Sequence, residues 1–467
     1  MSADPVRYIS TRGSAPELDF GDVLLTGLAD DGGLYLPTHW PRLAASHTSS
    51  SYVETAIEVM APFVARSLSA DELGEIVADS YSTFHHPEVV PITDLGHNSY
   101  LMELYWGPTL AFKDIALQLV GRLFEHELNR RGERMTIVGA TSGDTGSAAI
   151  EACRDRDCLD IYILFPKGRV SEVQRRQMTT IDSSNVHAVE VDGSFDDCQD
   201  LVKAMFGHRS FRDEVNLGAV NSINWARVMA QTVYYVWACR TIGKGGPVSF
   251  SVPTGNFGNV FAGESARRMG APIAQFVVGS NSNDILTQFF QTGTMTIGDV
   301  NPTLSPSMDI QISSNLERLL FELHGRDGVA VAEFMQQFRG EGNASLSDDQ
   351  RSSLAEIWSG TSVDDAATLN AISRYASAGH TVDPHTAVGL VASERLRIDT
   401  SVPMVSLATA HPAKFPDAVE TATGVRPELP AHLADLLDRS ENFDCLPNNL
   451  DTVEQFVLAG RSEKMRH

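Results

Sequence analysis

Short apolar runs that alternate with helical patterns constrain the fold of this chain more than any other feature of its sequence. The candidate strands are residues 135–140, 161–165, 186–191, 248–252, 275–279 and 404–408. Stretches with apolar residues at helical spacing lie between many of these runs. This alternation predicts an α/β fold with a largely parallel sheet. Helical segments at 52–69 and 70–84 predict a separate, mostly helical N-terminal domain.

The size and charge of the chain limit its domain number and its partners. Its 467 residues correspond to two or three domains of ordinary size. The formal net charge of −24 repels nucleic acid and anionic membrane surfaces, so we expect neither as a partner. The longest apolar runs fall short of a membrane span. An anionic substrate would need a local cluster of hydrogen-bond donors.

The cysteines and the N-terminus predict a cytoplasmic protein with no metal site. The five cysteines include no C-x-x-C pair and no zinc-ligand spacing, which fits free thiols better than disulfides. The first residues, MSADPVRYISTRG, contain no apolar segment typical of a secretory signal.

A lysine at the start of a predicted helix is the first candidate for chemistry. Lys113 ends the run GPTLAFK and precedes apolar residues at helical spacing. The helix dipole and the apolar neighbours Leu110, Ala111 and Phe112 disfavour an ammonium ion, so we expect a lowered pKa for Lys113. Such an amine can attack a carbonyl group. From this run alone, a surface lysine at a helix start remains the simpler alternative.

Two further loops follow predicted strands and precede predicted helices, an arrangement that binds anions through free backbone amides. The first, TSGDTGS (141–147), lies before a helix predicted to begin at Ala148. It has neither the lysine of a P-loop nor the glycine spacing of a dinucleotide site, and an ordinary turn is the alternative. The second, PTGNFGN (253–259), carries no cation, so backbone amides would hold any phosphate there. Its glycines permit a left-handed backbone or a close approach.

Taken together, the motifs of the chain resemble those of the threonine synthases, a family of fold-type II pyridoxal-phosphate (PLP) enzymes related to the tryptophan-synthase β chain. The resemblance extends over nearly the whole chain in family order. Its motifs are YISTRG (8–13), DGGLYLP (31–37), GPTLAFKD (107–114), GATSGDTGSAAI (139–150), NSINWAR (221–227), PTGNFGN (253–259), SSNLER (313–318) and TAHPAKFP (409–416). One departure is Asn259, where many relatives have aspartate, but it leaves the amide donors of the loop unchanged.

The resemblance implies a role for each matching residue. Lys113 would bind PLP covalently and act as the catalytic base, Thr409 would face the pyridine nitrogen, and a loop would wrap the cofactor phosphate. The residues of that loop would be Gly255, Asn256, Phe257 and Gly258. A second group, which would approach the amino-acid end of the substrate or the cofactor ring, consists of Ser142, Gly143, Asp144 and Thr145.

The substrate phosphate needs donors of its own. The candidates are Asn221, Ser222, Asn224 and Arg227, with Lys414 in addition. Asn224 and Arg227 are spaced to share one helix face. A structural ion pair is the alternative for Arg227, and a surface position is the alternative for Lys414.

The implied activity is that of a carbon–oxygen lyase acting on phosphate. It would convert O-phospho-L-homoserine and water to L-threonine and phosphate by γ-elimination and β-addition of water, the last step of threonine biosynthesis. Another fold-type II lyase, such as a threonine/serine dehydratase, is the alternative enzyme. A binding protein that has lost catalysis is the alternative class, against which the intact Lys113 counts.

The implied domain organisation has three parts. An N-terminal domain would occupy residues 1–95, and a PLP-binding catalytic region would occupy residues 96–445. That region would contain a smaller, mobile subdomain at about 130–215, in keeping with parallel sheets in two subdomains. Residues 446–467 would form a polar, loosely held tail.

Overall fold

Two compact units make up the described part of the chain. The structure, a computed structural model, describes residues 5–44 and 50–464. The first unit consists of the described residues up to Ala116 together with Ser222–Pro427. The second consists of Leu117–Asn221 together with the described residues from Glu428 onward. The division falls within the helix Lys113–Arg131.

The first unit is built on a mixed sheet, which has six strands within the described residues. Its order is Trp358–Ser362, Ile273–Ser280, Val248–Pro253, Met404–Ala408, Ser99–Glu103 and Ile92–Gly96. All neighbours pair in parallel except the last two, which are antiparallel. The strands Val248–Pro253 and Met404–Ala408 are buried along their whole length, as strands covered by helices on both faces should be. The predicted parallel sheet is therefore confirmed.

Helices and two short antiparallel pairs complete the first unit. The short pairs are Tyr8–Ser10 with Tyr35–Pro37, and Thr294–Thr296 with Asn343–Ser345. The α-helices are Phe20–Thr26, Tyr52–Val64, Ala70–Ser82, Trp225–Thr241, Gly258–Met269, Ile285–Thr292, Leu316–Leu323, Gly328–Glu341, Asp348–Ala355, Asp365–Ser377, Pro384–Leu396 and Pro416–Thr423. Single 3-10 turns are formed by Pro306–Met308 and Pro412–Lys414.

The two predicted N-terminal helices are present, but each ends before its predicted last residue. The segment predicted at 52–69 stops at Val64, the segment predicted at 70–84 stops at Ser82, and Ser69 is the N-cap of the second helix. Ser69 accepts a hydrogen bond from the Glu72 amide, and the Glu72 carboxylate reaches back to the amide of Ser69. This capping box satisfies two of the amides that a helix start leaves free. The described residues of the predicted N-terminal domain all belong to the first unit, so its predicted boundary at residue 95 is not the boundary between the units.

The second unit contains an all-parallel sheet, with five strands among the described residues. Its order is Asp444–Pro447, Val186–Asp192, Leu159–Pro166, Met135–Ala140 and Leu217–Gly218. Its α-helices, beyond the shared Lys113–Arg131, are Asp144–Cys153, Glu172–Thr179, Phe195–Gly207, Arg209–Val215 and Leu450–Lys464, and Ala431–Leu433 forms a 3-10 turn. No helix in the described part of either unit has the length and apolarity needed to cross a membrane.

The C-terminal segment is an integral part of the second unit. The strand Asp444–Pro447 pairs with Val186–Asp192 at the sheet edge. Val453 and Val457 of the helix Leu450–Lys464 are buried in the apolar core of this unit. The prediction of a loosely held tail is therefore wrong for this segment. Its other apolar residues pack against the same core: Leu446, Leu450, Phe456 and Leu458. Residues 465–467 lie outside the described residues. The mobility of the subdomain at about 130–215 stays a prediction.

Candidate active site

The loop that precedes Lys113 is tied to the helix that Lys113 begins. Lys113 is the first residue of Lys113–Arg131, as predicted, and its side chain is 8% exposed. We call residues 107–114 the lysine loop. Within it, Leu110 has a left-handed backbone (φ +63°). The buried carboxylate of Asp114 accepts hydrogen bonds from the amide of Thr109 (2.8 Å) and from its hydroxyl (2.7 Å). These bonds fix the backbone on both sides of Lys113.

A buried lysine reinforces this loop. Lys414 is fully buried, and its Nζ donates to the carbonyl oxygen of Thr109 at 2.7 Å. Burial raises the pKa of Asp114 to about 6, while the hydrogen bonds from Thr109 and the charge of Lys414 act in the opposite direction. The surface alternative for Lys414 is therefore wrong. Its contact with Thr109 supports the lysine loop, and a contact with the substrate phosphate stays a prediction.

The segment that carries Thr409 lies beside the lysine loop. The amide of Phe112 donates to the carbonyl oxygen of Thr409 at 2.9 Å. The amide of His411 donates to the carbonyl oxygen of Leu110 at 3.0 Å. Thr409 directly follows the strand Met404–Ala408 and is 6% exposed. Two residues that the sequence placed almost 300 positions apart, Lys113 and Thr409, are thus brought together by backbone hydrogen bonds. The direction of the Thr409 hydroxyl toward a pyridine nitrogen stays a prediction.

The loop PTGNFGN (253–259), which we call the glycine loop, has its carbonyl groups held from one side. The hydroxyl of Ser313 donates to the carbonyl oxygen of Gly255 at 2.7 Å. The carbonyl oxygen of Asn256 accepts from the amide (3.1 Å) and the side chain (2.9 Å) of Asn315. In a trans peptide the N–H points opposite to the carbonyl group. The amides of Asn256 and Phe257 therefore point away from Ser313 and Asn315.

These amides form a site suited to a phosphate. The helix Gly258–Met269 begins at the glycine loop, two residues earlier than predicted, and among the described residues no side chain caps it. Its N-terminus carries a partial positive charge, and loop amides that point outward are donors for a phosphate monoester without any cation. The donors present thus fit the phosphate group of PLP.

The need for glycine at position 255 comes from close packing. A Cβ atom on Gly255 would lie 2.9 Å from the carbonyl oxygen of Ser307 and 3.2 Å from the Cα of Met308. Neither Gly255 nor Gly258 has a positive φ; the left-handed residue of the loop is Phe257 (φ +62°). We expected the glycines to permit either a close approach or a left-handed backbone. Close approach is confirmed at Gly255, whereas the left-handed residue is Phe257 rather than a glycine.

The departure at Asn259 is accommodated by two tyrosines. The side-chain oxygen of Asn259 accepts hydrogen bonds from the hydroxyls of Tyr234 and Tyr235 in the interior of the first unit. A carboxylate could accept the same two bonds. The asparagine therefore alters neither this anchor nor the amides of the glycine loop.

In the second unit, the loop TSGDTGS uses its own side chain to satisfy its amides. The hydroxyl of Thr141 accepts from the amides of Gly143 and Gly146, each at 2.9 Å. Asp144 is buried and accepts from the side chain of Gln174 at 2.8 Å. The helix begins at Asp144 rather than at Ala148, so the polar residues form its first turn. Two of the amides expected to bind an anion are therefore occupied already.

The segment NSINWAR mostly has structural contacts. Asn224 is fully buried, accepts from the amide of Ala226 (3.0 Å) to cap the helix Trp225–Thr241, and donates to the carbonyl oxygen of Leu24 (2.8 Å). Arg227 is 3% exposed, and burial lowers its pKa to about 10. Ser222 is half-buried in the first unit, whereas Asn221 is exposed and belongs to the second. Substrate contacts by these residues stay predictions.

Several residues at this site were not identified from the sequence. They are Ser307, Ser313, Asn315, Asp383, His385 and Thr386. Ser313 and Asn315 lie in the motif SSNLER, so the motif was recognised without its function. Ser307 and the segment 383–386 lie outside every motif. Nothing in their local pattern distinguishes them from a turn and a helix cap.

Comparisons with known proteins identify the family of this chain. Residues 88–336 match a family described as pyridoxal-phosphate dependent enzyme. Residues 7–81 match the threonine synthase N terminus, and residues 386–457 match the threonine synthase C-terminal family. A threonine synthase of Pseudomonas aeruginosa is 52% identical, over 97% of this chain and 98% of its own. The chain belongs to the threonine synthase family.

Solved structures of threonine synthases share the fold. A PLP-bound threonine synthase from Brucella melitensis superposes with a TM-score of 0.95 at 50% identity, covering 97% of this chain and 99% of its own. A threonine synthase from yeast gives a TM-score of 0.93 at 36% identity, covering 99% of this chain and 100% of its own. The chain therefore has the fold of the PLP-dependent threonine synthases, and its cofactor is PLP.

Proposed function

We propose that this enzyme converts O-phospho-L-homoserine and water to L-threonine and phosphate, with PLP bound covalently to Lys113. One observation carries the proposal: Lys113, the glycine loop and Thr409 lie in one compact unit and are linked through the neighbouring residues Phe112 and Ser307. Phe112 bonds to Thr409, and Ser307 lies between Lys113 and Gly255. This is the arrangement needed to hold one small cofactor at its reactive carbon, its ring and its phosphate.

The chain supplies binding and orientation, and PLP when bound supplies an electron sink for the substrate α-carbon. The amides of Asn256 and Phe257 and the N-terminus of Gly258–Met269 anchor the cofactor phosphate. Thr409 would offer a neutral hydroxyl to the ring nitrogen. A neutral group does not force a proton onto that nitrogen, which favours controlled elimination and replacement over transamination.

Lys113 is the base in this proposal. Once its covalent bond is released, its amine takes the proton from the substrate α-carbon and later returns it. The apolar residues Leu110 and Ala111 are buried beside it, which limits access of water to the amine. The lysine loop, held by Asp114 and Lys414, keeps the amine in position between these two tasks.

For the substrate contacts, the structure favours the residues that are not fully buried. We propose Ser142, Thr145, Asn221 and Ser222 as the members of the predicted set that contact substrate. Gly143, Asp144, Asn224 and Arg227 are buried, and the side chains of Asp144 and Asn224 already form internal hydrogen bonds. We also propose that the enzyme is cytoplasmic, since its cysteines are all free.

The decisive experiment labels the lysine and measures the products. Borohydride reduction of the enzyme loaded with PLP should add the cofactor mass to the peptide that contains Lys113. Lys113→Ala should remove this label and lower turnover on the order of 10³-fold or more. Lys113→Arg should fail as well, because guanidinium stays protonated and cannot bond to the carbonyl carbon. The wild-type enzyme should release phosphate and threonine from O-phospho-L-homoserine.

Two results would contradict the proposal. The first is a cofactor label on another lysine. The second is consumption of threonine or serine in preference to O-phospho-L-homoserine, which would favour a dehydratase.

A further inference from the structure

The hydroxyl of Ser307 lies within hydrogen-bond distance of the Lys113 amine. The Nζ atom of Lys113 donates to the Oγ atom of Ser307 at 3.4 Å, the long end of the hydrogen-bond range. The carbonyl oxygen of Ser307 also lies against Gly255. Ser307 therefore adjoins the amine and the glycine loop at the same time.

A buried histidine and aspartate fix the backbone of Ser307. The amide of Ser307 donates to Nε2 of His385 at 3.2 Å, so Nε2 is the acceptor in this contact. The ring proton lies on Nδ1, which donates to the Asp383 carboxylate at 2.7 Å. His385 and Asp383 are 4% and 0% exposed. A helix cap needs only a carboxylate and backbone amides, so the ordered imidazole exceeds what capping requires.

The same aspartate reaches Thr409. Asp383 accepts from the amide of Thr386 at 3.1 Å and from the hydroxyl of Thr386. The hydroxyl of Thr386 in turn accepts from the amide of Thr409 at 3.2 Å. Asp383 is thus connected through His385 to Ser307 and through Thr386 to Thr409.

A second anchor holds the turn that carries Ser307. Asp309 accepts from the amide (3.0 Å) and hydroxyl (2.7 Å) of Thr303, and from the side chains of Asn281 (2.7 Å) and Asn283 (3.1 Å). These bonds fasten residues 303–309 to the end of the strand Ile273–Ser280. The backbone that carries Ser307 is thus held on both sides, at its own amide and at Asp309.

We propose that Ser307 is a catalytic residue that orients the amine of Lys113, and that Asp383 and His385 are positioning residues that hold Ser307. This rests on the proposed function of Lys113. The released amine has two hydrogens and one lone pair. One N–H donates to Oγ of Ser307, so that the lone pair faces the substrate proton. The proton moves from carbon to nitrogen and back, and Ser307 itself gains and loses none.

The test begins with the apoenzyme, where no cofactor chemistry contributes. Trace acetic anhydride labels lysines in proportion to their neutral fraction, and mass spectrometry compares Lys113 with the exposed Lys203. An ammonium ion loses more than a neutral amine when its acceptor is removed. Ser307→Ala should therefore raise the labelling of Lys113 roughly threefold to tenfold, the size of one modest hydrogen bond.

Turnover should change in the opposite direction. The kcat of Ser307→Ala should fall on the order of tenfold to a hundredfold with little change in KM, because the amine is more available but less well oriented. Ser307→Thr keeps the hydroxyl and should remain near the wild type in both measurements. Ser305→Ala is the matched control, since the hydroxyl of Ser305 on the same turn bonds to Asn281 instead.

The positioning residues give an independent test if Ser307→Ala does not fold. The amide oxygen of His385→Gln can replace Nε2 as an acceptor, so this variant should keep more activity than His385→Ala. Labelling and kcat of Ser307→Ala both within twofold of the wild type would overturn the inference, as would equal activity of the two His385 variants. A wild-type enzyme whose borohydride label is not on Lys113 would instead overturn the proposed function.

Discussion

The glycine loop and the loop TSGDTGS occupy the same position between a strand and a helix, but the hydrogen bonds of their backbone groups differ. Both follow a buried parallel strand and precede a helix. In the glycine loop, side chains from residues 313–315 bind the carbonyl groups and leave amides pointing outward. In the other loop, Thr141 accepts from two amides of its own turn. Small residues between a strand and a helix therefore do not make an anion site by themselves.

The difference lies in where the partner groups come from. Thr141 is two and five residues from the amides it satisfies, so the loop forms its own network. Ser313 is 58 residues from the carbonyl group it binds. A loop whose carbonyl groups are bound by a distant segment can keep its amide donors available for a ligand. A loop whose amides are bound by its own side chain, which we call self-braced, has fewer donors to offer.

The largest effect is expected from a side chain in the glycine loop. Gly255→Val would place methyl groups against the backbone of Ser307 and Met308 and displace the amides. We expect PLP affinity to fall by about 2–3 kcal/mol, roughly a hundredfold in Kd by equilibrium dialysis. Gly258→Ala is the matched variant and should lose less, since its new Cβ would meet the side-chain amide of Asn315 at 3.2 Å. Unchanged affinity in Gly255→Val would remove the glycine loop from the cofactor site.

A smaller effect, in stability alone, is expected from the self-braced loop. Thr141→Val keeps the shape of the side chain but leaves the amides of Gly143 and Gly146 without their acceptor. The free energy of unfolding should fall by about 2 kcal/mol, measured by urea denaturation, because buried donors lose their partner. PLP affinity should stay within twofold. Thr145→Val, with a half-buried side chain, is the stability control. A large loss of PLP affinity in Thr141→Val would show that the two loops are not so different.

The smallest effect on PLP affinity should come from the hydrogen bond between Ser313 and the carbonyl oxygen of Gly255, which we call the brace. Ser313→Ala removes one hydrogen bond to the carbonyl oxygen of Gly255 and lets that peptide rotate. PLP affinity should fall by about 1 kcal/mol, roughly fivefold, with little change in unfolding. The neighbouring Ser314→Ala provides the control. Equal PLP affinity in both variants would mean that the amides keep their direction without the brace.

The fold could be predicted from local sequence patterns, whereas the candidate site could be predicted only in part. The strands at 135–140 and 404–408 were predicted to the residue, and the helix was predicted to begin at Lys113 or just after it, because apolar periodicity is a local property. The burial of Lys414 and the contact between Ser307 and Lys113 were not predicted. They depend on hydrogen bonds between residues 305 and 194 positions apart, which leave no local signal. The C-terminal helix was missed because its polar residues were given more weight than its apolar ones, which pack in or against the core of the second unit.

The support of the lysine loop by Lys414 has a consequence for synthesis on the ribosome. Lys113 emerges long before Lys414 and Thr409, and the segment Leu117–Asn221 between the halves of the first unit folds in the other unit. Until residues 404–414 have been translated, the lysine loop lacks both its backbone partner and its buried cation. Contacts of such long range also form late in folding. The nascent chain can therefore capture its cofactor only when translation is nearly complete, and C-terminal truncations before residue 404 should accumulate as apoprotein.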